Sequence, residues 1–141
     1  MKIVTAGIIL IGDELLSGRT QDTNLVTIAK FLEPLGVQVG EARIVSDHAE
    51  TIIQTVRDFS DRFDYVFTTG GIGPTHDDIT ADCIASAFDL SISERDDAIA
   101  VLRERYSLEE LNAARRRMAR IPEGASPVSY THLTLPTIYS V

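Results

Sequence analysis

The sequence predicts an α/β fold of three layers, in which a mostly parallel β-sheet carries helices on both faces. Strand-like segments rich in β-branched and aliphatic residues alternate with segments whose apolar residues recur at helical spacing. The first strand-like segment is apolar at almost every position, which is typical of a strand buried on both sides. Because strands that alternate with helices pair in parallel, these observations together indicate a layered α/β domain.

The first strand and helix follow from composition and from turn residues. Residues 2–11 form the apolar strand, and the polar turn at residues 12–18 is bracketed by glycines. The next helix is predicted to begin after Asp22 or Thr23, which are both good N-caps. Pro34 is predicted to end it, because proline cannot continue a helix.

The second and third strands repeat this arrangement. Residues 37–45 form a more polar strand, and the helix after it is predicted to start at a Ser46 or Asp47 cap. Residues 65–69 are all β-branched or aromatic and form the third strand. The segment 70–75 contains three glycines and a proline, so the backbone is expected to turn sharply there.

Further helices are predicted in the second half of the chain. One follows the glycine turn, and a short extended segment at residues 90–92 comes after it. Another helix is predicted to start near Ser93, and a last one to run from Ser107 towards Ala119.

The end of the chain differs in composition from the rest. Residues 128–141 contain no charged side chain, whereas the preceding helices are dense in charge. We therefore expect a domain over residues 1–127, followed by a tail of non-native origin, and His132 in that tail receives no role. The alternative for the tail is a genuine edge strand.

Composition excludes several classes of function. The net charge of −8 argues against a broad nucleic-acid surface and against binding to anionic membranes. No apolar run reaches the length of a membrane span, and no signal peptide is recognisable, so a cytoplasmic location is expected. The single cysteine, Cys83, excludes an internal disulfide, and its place on an apolar helix face indicates an inert core thiol.

Candidate functional residues follow the three predicted parallel strands, whose carboxyl ends should share one edge of the sheet. Strand, glycine loop and helix start together favour an anion site, because backbone N–H groups converge there. Carboxylates beside such a site make sense if a divalent cation binds between them or if one acts on the ligand. The acidic residues concerned are Asp13 and Glu14, Asp47, and Asp77 and Asp78.

Structural roles are the alternative for most of these residues. Asp47 and Asp78 are each suited to a simple N-cap, and His48 and His76 to the surface. The loop is neither a Walker A motif nor a dinucleotide fingerprint, because the required lysine and third glycine are missing. An arginine cluster is expected to form a solvated helix face, with the alternative that one member reaches a phosphate; it comprises Arg115, Arg116, Arg117 and Arg120.

Two motifs resemble those of a known family. Residues 68–75, Thr-Thr-Gly-Gly-Ile-Gly-Pro-Thr, followed by Asp78-Ile79-Thr80, resemble the signature of the molybdopterin-binding MoaB/Mog domain family. Residues 12–18, Gly-Asp-Glu-Leu-Leu-Ser-Gly, with Thr23-Asn24, resemble the branch found at the N-terminus of competence/damage-inducible protein A. Ile72, where the cofactor-biosynthesis enzymes usually have threonine, favours that branch. The likeness spans about residues 2–125.

The resemblance implies a fold, a ligand class and two chemistries. It implies a largely parallel sheet and a homo-oligomer, commonly a trimer. In the cofactor-biosynthesis members the glycine loop holds the terminal phosphate of a pterin, and two aspartates serve magnesium-dependent adenylyl transfer. By motif these aspartates correspond to Asp47 and Asp78. In the competence-type branch, similar domains are associated with metal-dependent cleavage of nucleotide pyrophosphates such as ADP-ribose.

The resemblance also predicts that the chain is truncated at its C-terminus. It ends before the family's later strand and glycine-containing loop, and it lacks the separate amidase domain, so deamidation of nicotinamide nucleotide is not expected. The preferred function is a metal-dependent nucleotide pyrophosphate hydrolase that uses Mg²⁺ or a similar ion. The alternatives are molybdopterin binding or adenylylation, and a non-catalytic nucleotide-binding scaffold.

The site residues expected on this basis have three roles. The catalytic residues are Asp47 and Asp78, the metal ligands are Asp13, Asp47 and Asp78, and the residues that contact phosphate or ligand are Gly12, Ser17, Gly70, Gly71, Gly73 and Thr75.

Overall fold

The computed structural model of the chain describes residues 2–128 and 139–140. It divides into two units, Met1–Gly70 and Gly71–Val141, and each is described by itself. In the first unit the strands are β1 (Val4–Ile11), β2 (Val37–Val45) and β3 (Tyr65–Thr69), and the helices are α1 (Asp13–Leu16), α2 (Asn24–Leu32) and α3 (Ala49–Arg62). A 3₁₀ turn, Glu33–Leu35, follows α2.

The sheet of the first unit is parallel and has the strand order β2-β1-β3. Its central strand is buried on both faces, because consecutive residues from Ile8 to Ile11 are all shielded from solvent. The chain crosses from β1 to β2 through α2 and returns to the far side of β1 through α3. Right-handed crossovers in opposite directions place these helices on opposite faces of the sheet. The predicted α/β fold, with a parallel sheet between helices, is confirmed.

Two glycines make room for the aromatic side chains of α3 and its C-cap. A Cβ atom on Gly7 would lie 2.4 Å from the ring of Phe59, and one on Gly40 would lie 2.6 Å from the ring of Phe63. Gly40 is also the extra residue where the β1–β2 register shifts. The two rings contact each other edge to face with their centroids 5.2 Å apart, so α3 is held close against the sheet.

The second unit holds short strands and helices around its own core. Its strands are β4 (Ile92–Glu94), β5 (Arg120–Pro122), β6 (Ser126–Pro127) and β7 (Tyr139–Ser140), and its helices are α4 (Thr80–Ala87), α5 (Asp96–Leu102) and α6 (Ala113–Arg116). A 3₁₀ turn, Arg117–Ala119, continues α6. β4 pairs antiparallel with β5, and β6 pairs antiparallel with β7.

One hydrophobic cluster holds the second unit together, and the glycine loop is attached to it. Ala98 and Leu102 of α5 pack with Met118, Ala119 and Ile121, and Ile72 packs against this cluster from the middle of the glycine loop. Because an apolar side chain anchors the loop, the loop lies beside the segment that carries Arg117 and Met118.

The helix predicted from Ser107 was placed too early. Ser107 and Glu110 form a capping box, with the Glu110 carboxylate accepting from the Ser107 N–H at 3.0 Å, but this turn does not propagate. Asn112 has extended backbone, and its side chain caps the helix that starts at Ala113 by accepting from the Arg115 N–H at 2.9 Å. A second cap therefore interrupts the predicted helix.

The predicted tail lies largely outside the described residues. Within the described part, β7 pairs with β6 through Tyr139 and Ser140. The boundary at residue 127 and the non-native origin of the tail stay predictions. None of the helices in the described part of the chain combines the length and the apolar character that crossing a lipid bilayer requires.

Cys83 is buried in α4, as the helical pattern predicts, and is 2% exposed. Burial, with a smaller effect of the Asp82 carboxylate, raises the pKa of its thiol from 9.0 to about 11. The unfolded chain therefore ionises this thiol at a lower pH than the folded protein does.

The raised thiol pKa predicts that the free energy of unfolding falls as pH increases through 9 towards 11. Cys83→Ala should lack this component, although it loses a buried sulfur atom. Urea denaturation of both proteins at several pH values measures the difference in slope. Equal slopes would show that the thiol titrates alike in the folded and unfolded states.

Candidate functional site

The carboxyl edge of the parallel sheet carries the first group of candidate residues. β1 ends at Ile11, β2 at Val45 and β3 at Thr69, so Gly12, Asp47 and Gly70 follow strands that all end at the same edge. From β1 the chain goes to β2 on one side, and from β2 it returns to β3 on the other side of β1. This makes the β1–β3 boundary a topological switch point, the usual ligand position in open α/β sheets.

Asp13 and Asp47 join two of these strand ends by a reciprocal pair of hydrogen bonds. The Asp13 N–H donates to Oδ2 of Asp47 at 3.0 Å, and the Asp47 N–H donates to Oδ1 of Asp13 at 3.1 Å. The sequence predicted that both residues lie near the edge, but nothing in their spacing of 34 residues indicated that each would bind the other's backbone. The two carboxylates are therefore fixed relative to each other.

This pair also settles the alternative role of Asp47. The N-cap of α3 is His48, which makes no side-chain capping hydrogen bond, so Asp47 is not the cap of that helix. Its carboxylate instead reaches across to the loop after β1.

Asp13→Ala is expected to lower the free energy of unfolding by about 1 kcal/mol, because the Asp47 N–H loses its acceptor. Asp13→Asn should have almost no effect, since its amide oxygen can accept the same hydrogen bond. Urea denaturation of the two variants measures this. An equal loss of stability in both would show that the negative charge, and not the hydrogen bond, matters at this position.

Gly12 and Ser17, which were also predicted to contact the ligand, lie directly after β1 and in the following turn. The Gly12 N–H donates to the Val45 carbonyl at 3.0 Å, and a Cβ at Gly12 would lie 2.4 Å from the Glu14 carboxylate. Ser17, predicted to bind ligand, is exposed in the following turn, where its hydroxyl donates to the Glu14 carbonyl and accepts from Nε of Arg19 at 3.1 Å. Its hydroxyl is therefore engaged within the turn.

Gly70 closes the end of β3 in a conformation that requires glycine. Its φ of +91° lies in the left-handed region, and a Cβ there would lie 2.0 Å from the carbonyl oxygen of Ile11. The backbone of the two strand ends therefore approaches too closely for any side chain.

In the second unit, the glycine loop folds back on the start of α4. The Thr80 N–H donates to the Gly71 carbonyl at 3.1 Å, and a Cβ on Gly71 would lie 2.2 Å from Oγ1 of Thr80. Thr80 is fully buried, so this contact is part of the core of the loop. Gly71 also has a positive φ, which fits its predicted place in a sharp turn.

Asp78 holds the loop together from within and does not cap α4. Its Oδ2 accepts from the Thr75 N–H at 2.9 Å and from the Thr75 hydroxyl at 2.7 Å. A Cβ on Gly73 would lie 2.9 Å from the same oxygen. The N-cap of α4 is Ile79, so the interpretation of Asp78 as a simple N-cap is wrong. Three predicted residues, Gly73, Thr75 and Asp78, are thus brought together.

A pocket opens beside this loop, and part of its wall was not predicted to belong to the site. The residues that line it include Gly71, Gly73, Asp78, Asp82, Arg117 and Arg120. Arg117 and Arg120 belong to the cluster that was expected to form a solvated helix face, with the alternative that one member reaches a phosphate. His76 and Asp77, in contrast, are exposed side chains whose only described ionic contact, at 3.3 Å, is with each other.

The carboxylates that lie close together in the structure indicate which residues could hold the expected divalent cation. No three described His, Cys, Asp or Glu side chains form a group that could hold a metal ion. Mg²⁺, however, commonly binds through one or two carboxylates together with substrate phosphates and water. Asp13 and Asp47 fit this mode, because each uses one carboxylate oxygen for the reciprocal pair and retains the second. That Asp78 acts with them stays a prediction.

The comparisons with known proteins agree on one family. The family model described as "Probable molybdopterin binding domain" matches residues 7–137. A crystal structure of the protein CinA from Thermoplasma acidophilum, of unknown function, superposes with a TM-score of 0.84 at 33% identity and covers 94% of this chain and 78% of that one.

Two further relatives represent the two branches. A CinA-like protein of Myxococcus xanthus is 36% identical over 90% of this chain and 31% of its own length. The molybdopterin biosynthesis enzyme MoaB of Thermus thermophilus has a TM-score of 0.56 at 25% identity, over 81% of this chain and 71% of that one. The chain spans about half the length, or less, of the curated relatives it matches. The chain belongs to the molybdopterin-binding MoaB/Mog domain family, in its CinA-type branch.

Proposed function

We propose that the chain is a metal-dependent hydrolase that binds a phosphorylated nucleotide and cleaves its pyrophosphate, with ADP-ribose as the representative substrate. The observation that carries this proposal is the pocket in which the glycine loop, Asp78 and Arg117 come together. In such a pocket, backbone N–H groups and a guanidinium can bind phosphate oxygens, and a carboxylate can take part in the reaction. The likeness to CinA-type proteins places the chain in the branch whose resemblance implied cleavage of nucleotide pyrophosphates.

Each residue of the proposed site has a role in this reaction. Backbone N–H groups of the loop at Gly71 and Gly73 bind phosphate oxygens, while Thr75 holds the Asp78 carboxylate in place. Asp78, which lines the pocket, orients the attacking water and accepts its proton. A divalent cation, if held by Asp13 and Asp47, would neutralise charge on the pyrophosphate oxygens.

Hydrolysis forms one P–O bond and breaks another. The oxygen of water forms a new bond to one phosphorus atom, and the bridging P–O bond breaks. ADP-ribose and water thus give AMP and ribose 5-phosphate, and a carboxylate takes the released proton. The proposal requires positioning and electrostatic stabilisation, and it requires no redox cofactor.

The test is incubation of the purified protein with ADP-ribose, with and without Mg²⁺, and separation of the products. AMP and ribose 5-phosphate should appear only when the metal is present. Absence of both products at high enzyme concentration would refute hydrolysis of this substrate.

A second candidate function is molybdopterin binding or adenylylation, supported by the family model and by the likeness to MoaB. It predicts that the protein retains a pterin on purification, or that it transfers AMP from ATP to molybdopterin. A third candidate, a non-catalytic nucleotide-binding scaffold, predicts stabilisation by nucleotides without any product. Pterin fluorescence and product analysis separate the three candidates.

A further inference from the structure

We infer that Arg117 is a phosphate-binding residue, whose guanidinium completes the pocket of the glycine loop and binds a phosphoryl group of the ligand. The inference deepens the proposed function and rests on its ligand class. It selects Arg117 from the arginine cluster that was expected to form a solvated helix face, with the alternative that one member reaches a phosphate.

The neighbouring arginines all have protein partners. Arg115 donates to the Glu110 carbonyl at 2.9 Å and lies over the Tyr106 ring. Arg116 pairs with the exposed carboxylate of Glu94. Arg115 and Arg116 therefore already have partners on the protein itself.

Arg120 also has a partner, although it lines the pocket. Its guanidinium lies 3.0 Å from the Asp82 carboxylate, so the charges of this pair compensate each other. Arg120 therefore offers less uncompensated charge to a ligand than a free guanidinium would.

Arg117 differs from all three. Its Nε atom is buried and has no hydrogen-bond partner among the described residues. Leaving a buried charged donor unsatisfied costs free energy, so a protein rarely keeps one without a use. An N–H of a guanidinium can only donate, and its charge favours an anionic acceptor. The missing partner is therefore an anion.

The surroundings of Arg117 define that anion. Arg117 lines the same pocket as Gly71 and Gly73, and the adjacent Met118 is buried in the cluster that also anchors Ile72. A guanidinium that lines the same pocket as a glycine loop matches a phosphoryl group, which accepts several hydrogen bonds at once. Because Asp78 also lines the pocket, a bound phosphate requires a compensating positive charge nearby.

The test compares Arg117→Met with Arg116→Met by calorimetric titration of inorganic pyrophosphate and of ADP-ribose, both with Mg²⁺. Methionine removes the charge but keeps an unbranched apolar chain. Arg117→Met should weaken the binding of both probes at least about tenfold, which is the effect of losing one charge-assisted hydrogen bond. Arg116→Met should bind both within about twofold of the parent, since its ion pair is exposed.

A thermal melt without ligand separates a binding role from a structural one. Because Arg117→Met removes an unpaired buried donor, its melting temperature should equal or exceed that of the parent. Unchanged binding in Arg117→Met, or failure of the parent to bind either probe, would overturn the inference. If Arg117→Met does not fold, Arg117→Gln replaces it, since glutamine keeps a hydrogen-bond donor but removes the charge, and Arg117→Gln binding both probes like the parent would also overturn the inference.

The outcome for Arg117 is distinguishable from the outcome for the proposed function. Pyrophosphate binding that depends on Arg117, without hydrolysis of ADP-ribose, would refute the hydrolase and leave the phosphate-binding role standing. Hydrolysis of ADP-ribose at the same rate in Arg117→Met would refute the phosphate-binding role of Arg117 and leave the proposed hydrolase standing.

Discussion

Asp78→Asn is expected to lower the rate of ADP-ribose hydrolysis by at least about 100-fold, the usual contribution of a catalytic acid or base. Asparagine keeps an oxygen that can accept from the Thr75 N–H and hydroxyl, so the loop should remain in place. It loses the negative charge, and with it the capacity to accept a proton or to help bind a cation. Asp78→Asn should therefore lower the rate of hydrolysis without disturbing the fold.

The measurement is AMP release at saturating Mg²⁺, with a thermal melt of each protein. Asp77→Asn is the matched control, because its exposed side chain pairs only with His76 in the described structure. The control should keep its rate within about threefold, as expected for an exposed ion pair of little energetic weight. An Asp78→Asn protein as active as the control would remove Asp78 from the mechanism.

Gly70→Ala is expected to lower the free energy of unfolding by about 3 kcal/mol or more. A left-handed backbone costs an L-residue about 1–2 kcal/mol, and forcing an atom into a filled site costs about 1–3 kcal/mol more. At Gly70 both effects apply, since φ is +91° and the new Cβ would lie 2.0 Å from the Ile11 carbonyl oxygen. That oxygen belongs to the central strand and cannot move aside without disturbing the sheet.

Gly18→Ala is the control for the backbone effect alone. Gly18 has a φ of +79°, but nothing lies within 4 Å of a Cβ built there. This substitution should cost only about 1 kcal/mol. Chemical denaturation measures both variants. Equal losses would mean that the two strand ends do not approach each other as closely as the structure indicates.

Much of the architecture could be predicted because local sequence and tertiary environment agree. The bounds of β2 and β3 match the predicted segments 37–45 and 65–69, where strand composition is bounded by glycine and polar residues. The buried positions of α5, Ala98, Val101 and Leu102, follow from helical spacing.

The remaining features depend on contacts between distant residues. Asp47 looks like an N-cap in sequence, yet its carboxylate binds the Asp13 N–H 34 residues away. Nε of Arg117 is buried, and the adjacent Met118 belongs to the cluster against which Ile72 packs, but no local sequence pattern indicates either feature. One local signal was present for the late helix start, since Asn112 is a good N-cap before an alanine and arginine run.

The central claim is that the protein holds a pyrophosphate and a divalent cation together. Calorimetric titration of ADP-ribose into the protein, with Mg²⁺ and with a chelator, tests it most directly. Joint binding predicts at least about tenfold tighter association with Mg²⁺, corresponding to about 1.4 kcal/mol of coupling. Equal affinity with and without the metal, or no binding in either case, would contradict the claim.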